Sequence, residues 1–198
     1  MQRRSKEILD AMTPEKALVL LKEGNQRFAA SQMEHRNLME QVVETKKEQF
    51  PFAVVLGCID SRVPPELIFD QGIGDIFSIR IAGNFVNEDI LGSMEFACKL
   101  IGSKLIVVLG HNQCGAIHGA YHDIRLGHLT GLVRKLKPAV DAVPKNGSSL
   151  DQIAIQNVHM AVANITQQSL VLHDLMAEDR IAVMGAMYDV SSGVVSFL

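Results

Sequence analysis

The chain has no tryptophan, only three cysteines and only 5% aromatic residues among its 198 positions. Each scarcity excludes something. Three thiols are an odd and small number, which argues against a disulfide scaffold. It points to a reducing compartment, where cysteines serve metals, catalysis or the core. No apolar run approaches the ~18 residues that a membrane-spanning helix needs. The opening MQRRSKEILDA lacks the apolar stretch of a secretory leader. A cytoplasmic location is therefore expected, or a periplasmic one if a leader has been removed. Neither sign of charge dominates: 19 Lys and Arg face 22 Asp and Glu, a net charge of −3. The basic run Gln2-Arg3-Arg4-Ser5-Lys6 is short and terminal, so no nucleic-acid or polybasic membrane role is expected. No Gly-x-Gly-x-x-Gly follows a strand, which removes a dinucleotide-binding reading, and Gly72-Ile73-Gly74 reads as a turn. No Cys-x-x-Cys redox pair exists. A cysteine phosphatase loop would need Arg six residues after Cys58, where Pro64 stands. What is plentiful is apolar residue, 47% of the chain, enough for a sizeable core and incompatible with disorder.

Thr13 followed by Pro14 reads as an N-cap and first helical residue, and Ala17, Leu18, Leu21, Gly24 and Phe28 continue at helical spacing over 14–30. Residues 1–12 read as a loose tail and 35–48 as a polar second helix. The pattern changes at residue 52. The wholly apolar run 52–57 suits a strand buried on both faces. Further strands read at 75–81, 104–110 and 180–187, with a short fifth at 193–197. Helices read at 92–101 and as one long element over 150–177, after a loop at 144–149. Alternating strands and helices predict an α/β fold: a mainly parallel central β-sheet flanked by helices, with an N-terminal helical arm. The arm spans 1–48 and the α/β core 49–198, within a single domain. The arm would cover either its own core or a partner subunit.

Open parallel sheets place their sites beyond the carboxyl ends of strands. The first strand ends in Gly57-Cys58-Ile59-Asp60-Ser61-Arg62 and the third in Gly110-His111-Asn112-Gln113-Cys114-Gly115. Cys58, His111 and Cys114 together offer two thiolates and one imidazole. That set suits zinc, and three protein ligands leave a fourth position open, as a catalytic zinc requires. Two buried thiols and a hydrogen-bonded core histidine would have the same spacing, so residue types alone leave both readings open. In extended chain, residues 58, 60 and 62 would share one face. Arg62 can then hold Asp60 as a bidentate pair beside the metal, or the two form an ordinary structural pair. His118 and His122 read as helix-surface histidines, and Cys98 as a core filler in mid-helix.

Cys58-Ile-Asp60-Ser61-Arg62 followed by His111-x-x-Cys114 resembles the zinc signature of the β-class carbonic anhydrases. The likeness extends to Glu23-Gly24-Asn25-Gln26-Arg27-Phe28, Val63-Pro64-Pro65-Glu66, Arg80-Ile81-Ala82-Gly83-Asn84, Gly92-Ser93-Met94-Glu95-Phe96-Ala97 and Tyr188-Asp189-Val190, nearly the whole chain. The resemblance implies reversible hydration of carbon dioxide to bicarbonate and a proton by attack of zinc-bound hydroxide, with one zinc per chain. It implies Asp60 and Arg62 in catalysis, with Asp60 as a fourth metal ligand only in a closed, low-pH state. It also implies a homodimer with its sites at the subunit interface, or a tetramer or larger assembly. Gln49, Phe77, Ala82, Phe96 and the Gly115 backbone N–H would form the substrate pocket, and Phe96 stands where plant-type members carry Tyr. Val55 occupies the position of the Trp that accompanies a non-catalytic bicarbonate pocket, so no inhibition through that pocket is expected. A related zinc hydrolase acting on carbon disulfide or carbonyl sulfide, and a non-catalytic zinc-binding protein, are the alternatives.

Overall fold

The structure, a computed structural model, describes residues 5–144 and 149–198. The basic run at residues 2–4 and most of the loop expected at 144–149 lie outside the described residues.

Five strands form one sheet in the order β2-β1-β3-β4-β5. They are β1 (Ala53–Gly57), β2 (Ile76–Arg80), β3 (Leu105–His111), β4 (Ala182–Tyr188) and β5 (Val195–Phe197). The first four run parallel, and β5 pairs antiparallel with β4 at the edge. In register, Gly57 lies opposite both Arg80 and Leu109, and His111 lies opposite Tyr188. The carboxyl ends of all four parallel strands therefore meet at one end of the sheet. β1 and β3 are buried at every residue, as their unbroken apolar runs require when helices cover both faces.

Side chains alternate between those faces. Ala53, Val55, Leu105, Val107 and Leu109 pack with Leu9 of α1 (Lys6–Asp10) and with Ala17 and Leu21 of α2 (Pro14–Ala29). Val54, Leu56, Ile106 and Val108 pack against α5 (Glu88–Glu95), α8 (Leu150–Gln168) and α9 (Leu170–Ala177). The first helix of the arm thus covers its own core. Thr13 caps α2 by accepting from the Lys16 N–H, with Pro14 in the first turn. A buried carboxylate ties the arm down: Asp70 receives Arg27 Nε at 2.5 Å, the Arg36 guanidinium and the Glu34 N–H at 3.2 Å. Beyond Arg36, α3 (Leu38–Thr45) buries no residue and leaves Leu38, Met39, Val42 and Val43 exposed.

Several expectations need correction. The tail over 1–12 contains α1, whose Leu9 is buried. The helix expected at 92–101 begins earlier, at Glu88, because Asn87 Oδ1 accepts the Ile90 N–H. It continues as a π-helix over Phe96–Ile101 and stops at Gly102, whose φ is +101°. The long helix over 150–177 is two. Ser169 ends α8 and caps α9 by accepting the Leu172 N–H, while its hydroxyl donates to Glu95 at 2.6 Å. Short α4 (Pro65–Ile68) and the sixteen-residue α7 (Gly127–Ala142) had not been read from the sequence. In α7, Val133, Leu136, Ala139 and Val140 are buried at helical spacing, but Gly131 and Pro138 break the local signal.

Candidate metal centre

Cys58 stands just past β1, His111 ends β3, and Cys114 precedes α6 (Gly115–Tyr121). Their ligating atoms lie within 4.8 Å of one another. All three residues are buried, and the thiols are free. A shell of α6, α7 and α8 residues, including Ile117, Val133, Leu136 and Ile153, packs around the two cysteines. His111 Nδ1 lies 2.8 Å from the Asn112 carbonyl oxygen, which fixes the ring and turns Nε2 inward. Nε2 is buried and has no hydrogen-bond partner among the described residues. An orphaned imidazole nitrogen beside two thiols is costly in a core unless a cation completes it. The donor set therefore fits a zinc ion. Hydrogen bonding from the Cys114 thiol draws the Cys58 thiol pKa downward against burial, with help from His111 and the Gly83 N–H, and Cys114 itself is pushed up by the same hydrogen bond and by burial.

Asp60 and Arg62 do meet, by a different geometry from the extended one expected. The chain turns at Asp60, whose carbonyl accepts the Val63 N–H at 3.0 Å. The guanidinium folds back, with Nε donating to Asp60 Oδ1 at 2.9 Å and Nη2 to Oδ2 at 2.8 Å. The Arg62 N–H adds a third bond to Oδ1 at 3.0 Å. The Arg62 pair holds the Asp60 carboxyl down at about 2, against partial burial and with help from His111.

Residues that sequence reasoning did not place in the site brace these loops. Arg80 donates to the carbonyls of Cys58 at 2.9 Å and Asp60 at 2.6 Å. Asn112 Nδ2 reaches Asp189 Oδ1 at 3.1 Å and its Oδ1 accepts the Val190 N–H, which docks the His111 loop on the end of β4. Asp151 of α8 accepts the N–H of Gln113, a residue with φ +52°. The motifs Arg80-Ile81-Ala82-Gly83-Asn84 and Tyr188-Asp189-Val190 carried a signal for Arg80 and Asp189. Asn112 and Asp151 had none, because their partners are remote in sequence.

The expected pocket residues divide. Ala82 lies in the turn beside Cys58, and Gly115 opens α6 next to Cys114, with nothing within 4 Å of where a Cβ would stand. Gln49, Phe77 and Phe96 are not brought to Cys58 within the chain. Gln49 precedes β1, at the end of the sheet opposite Cys58. Phe77 pairs with Val54 near the start of β2 and meets Phe96 edge-on, ring centroids 6.3 Å apart. His118 and His122 are exposed on α6 with ring centroids 4.4 Å apart. Cys98 is buried in the core, where burial pushes its thiol up to about 12.

A mainly parallel sheet with two thiols and an imidazole gathered at adjacent strand ends defines an α/β protein with a group of side chains that could hold a metal. The carbonic anhydrase family model matches residues 53–195. Carbonic anhydrase 2 of Mycobacterium tuberculosis is 37% identical over 187 residues, covering 91% of this chain and 90% of the relative. The carbonic anhydrase of Mycolicibacterium smegmatis is 35% identical, covering 91% of each. Among solved structures, the Coccomyxa β-carbonic anhydrase in complex with acetazolamide superposes with a TM-score of 0.73 at 25% identity, covering 89% of this chain and 83% of that one. A β-carbonic anhydrase from Sordaria macrospora, described as tetrameric, gives 0.70 at 25% identity, covering 81% and 90%. The chain belongs to the β class of the carbonic anhydrase family, and is a lyase of that kind.

Proposed function

We propose that this chain hydrates carbon dioxide reversibly to bicarbonate and a proton, with one zinc ion per chain held by Cys58, His111 and Cys114. The observation that carries the reading is the buried, unpartnered His111 Nε2 beside two free thiols, with Asp60 locked nearby by Arg62. Bound there, zinc supplies a water acidic enough to act as a nucleophile near neutral pH. The chain's own residues orient the reaction. Asp60, ionised and held by Arg62, is an acceptor that aims the nucleophile's proton away from the substrate. Its bidentate pair keeps it from taking the fourth ligand position, which is the open arrangement. The Gly115 N–H, at the start of α6, is a donor for the oxygen that gains charge. Ala82 contributes an apolar wall.

The remaining pocket residues come from a second copy of the chain. Phe77 and Phe96 meet on the β2 side and Gln49 precedes β1, all away from their own Cys58. Exposed apolar side chains stand at Phe96, Leu100 and Ile73 and at Leu38, Met39, Val42 and Val43 of α3. A homodimer would cover that surface and complete each site from both subunits, and larger assemblies would be built from it. Val55 is fully buried and its side chain has no hydrogen-bond donor, which supports the expectation of no inhibition through a second bicarbonate pocket. The free thiols suit a reducing compartment such as the cytoplasm, and no described helix is long and apolar enough to cross a membrane.

Stopped-flow carbon dioxide hydration on metal-quantified protein tests the reading. Activity should track zinc content, vanish on chelation and return with added zinc. Zinc-loaded protein without hydration activity would overturn it.

A further inference from the structure

We infer that Asn157 of α8 is a positioning residue for the metal centre, acting through Gly83 on the sulfur of Cys58. The inference rests on the metal reading above and goes beyond it to a residue in neither metal-ligand loop.

Ile81–Asn84 form a turn closed by the Asn84 N–H donating to the Ile81 carbonyl at 3.0 Å. Gly83 is its third residue, with φ +79°, the mark of a type II turn. Type I and type II turns differ by a flip of the central peptide. The type II form directs the Gly83 N–H onto Cys58 Sγ, at 3.4 Å. Glycine is required here twice over. The positive φ is strained for other residues, and an added Cβ would stand 2.6 Å and 2.9 Å from the Leu136 methyls and 3.3 Å from the Ala116 Cβ.

The same glycine's carbonyl points the other way, into the protein. Asn157 Nδ2 donates to it at 2.8 Å, and Asn157 is 5% exposed. The peptide that follows Gly83 is thus pinned at both ends, its N–H by Ile81 and its oxygen by Asn157. With that plane fixed, the preceding N–H stays aimed at sulfur. A hydrogen bond to a thiolate withdraws charge from it and sets both its strength as a ligand and the electron density left on the metal. Asn157 stands on the helix whose first turn also carries Asp151, the acceptor for the Gln113 N–H beside Cys114. One helix therefore braces both ligand loops, and Asn157 is its contact on the Cys58 side.

Asn157 borders a cavity of about 240 Å³, shared with Phe85, Met160 and Asn164, so changes of its size can be accommodated. Asn157→Leu keeps the branched shape, with its bulkier methyls taken up by the cavity, and removes the donor; Asn157→Gln keeps a donor and uses the cavity. The holoenzyme should lose zinc affinity about tenfold in chelator competition for Asn157→Leu, and less for Asn157→Gln. In cobalt-substituted protein, the thiolate-to-metal absorption should move to longer wavelength in Asn157→Leu and stay near wild type in Asn157→Gln. If Asn157→Leu does not fold, Asn157→Ala, which merely enlarges the cavity, takes its place. Folded variants with wild-type affinity and an unmoved band, even with a lower Tm, would overturn the inference. A wild-type protein that holds no metal at Cys58 would overturn the metal reading itself.

Discussion

The two ends of the sheet are built on opposite principles. At the carboxyl end, every loop is held by a named partner: Asp60 by Arg62, the Cys58 carbonyl by Arg80, Gln113 by Asp151, and Asn112 by Asp189. Among the described residues, two buried side-chain nitrogens there lack a partner, His111 Nε2 beside the thiols and Asn84 Nδ2 in the turn next to them. At the other end α3 buries nothing, and Leu38, Met39, Val42, Val43, Ile73, Phe96 and Leu100 stand exposed beside the charged run Lys46-Lys47-Glu48. The first end offers ligands that a cation would complete, and the second offers a surface that another surface would cover. On the proposed function, one chain would hold the metal and two chains would make the substrate pocket.

The largest effect expected is from Cys58→Ser. A hydroxyl is a poor zinc ligand, so metal content should fall from one per chain toward zero with complete loss of hydration, while sedimentation shows the assembly unchanged. Loss of the assembly as well would mean that the two ends are not independent. Asp60→Asn comes next. It keeps the shape and removes the charge, so zinc should stay stoichiometric while the hydration rate falls about 10²–10³-fold, the range for losing one electrostatic contact to the reacting centre. Unchanged turnover would remove Asp60 from the chemistry. The third substitution works from the other end. Val43→Asp with Leu100→Asp places charge on the exposed apolar surface. It should dissociate the assembly and cut activity at least about tenfold with zinc retained. An assembly that survives the pair would break the comparison, since that surface would then not be the one between subunits.

The sequence shows the first end far better than the second. β1 and β3 were legible because a strand buried on both faces needs an unbroken apolar run, and the cysteines and histidine follow those runs directly. Asp60 and Arg62 were legible as a pair because they are two residues apart, although the turn that joins them was not. The arm's first helix announced itself by Thr13 and Pro14. By contrast, the grip of Asn157 on Gly83 and of Asp151 on Gln113 crosses long stretches of chain, and a single sequence carries no record of such pairs. The break at Ser169 was hidden because an apolar face continues through it, and α7 because Gly131 and Pro138 interrupt its period. Gln49, Phe77 and Phe96 entered by family resemblance alone. Nothing in their local pattern says whether they would face their own chain's site or a neighbouring chain's.

The gentlest way to separate the two ends is pH. Asp70 anchors the segment leading to α3, bridging Arg27 and Arg36. Burial alone would raise its pKa, but the bonds from Arg36 and Arg27 outweigh that and hold the carboxyl below its ordinary value of 3.8. A carboxylate whose folded pKa is depressed stabilises the fold at pH above its unfolded value, and that contribution is lost as pH falls through the folded one. Between pH 5 and 8 the anchor is therefore constant, and neither Tm nor assembly should respond to it. Below about pH 4 it begins to fail. Asp70→Asn imitates that failure at neutral pH. It removes the buried counter-charge and leaves the two guanidinium groups to the half-exposed Glu34, 3.2 Å from Arg36 and 3.8 Å from Arg27, at a cost of at most about 3–5 kcal/mol. The variant should show at pH 7 the lower Tm and weaker assembly that the wild type shows only in acid, and its Tm should depend less on pH between 5 and 3 than the wild type's. Zinc affinity at pH 7 should be the same in both proteins, because Asp70 touches nothing at the metal end. A drop in zinc affinity in Asp70→Asn would show that the arm's anchor and the metal loops are one cooperative unit.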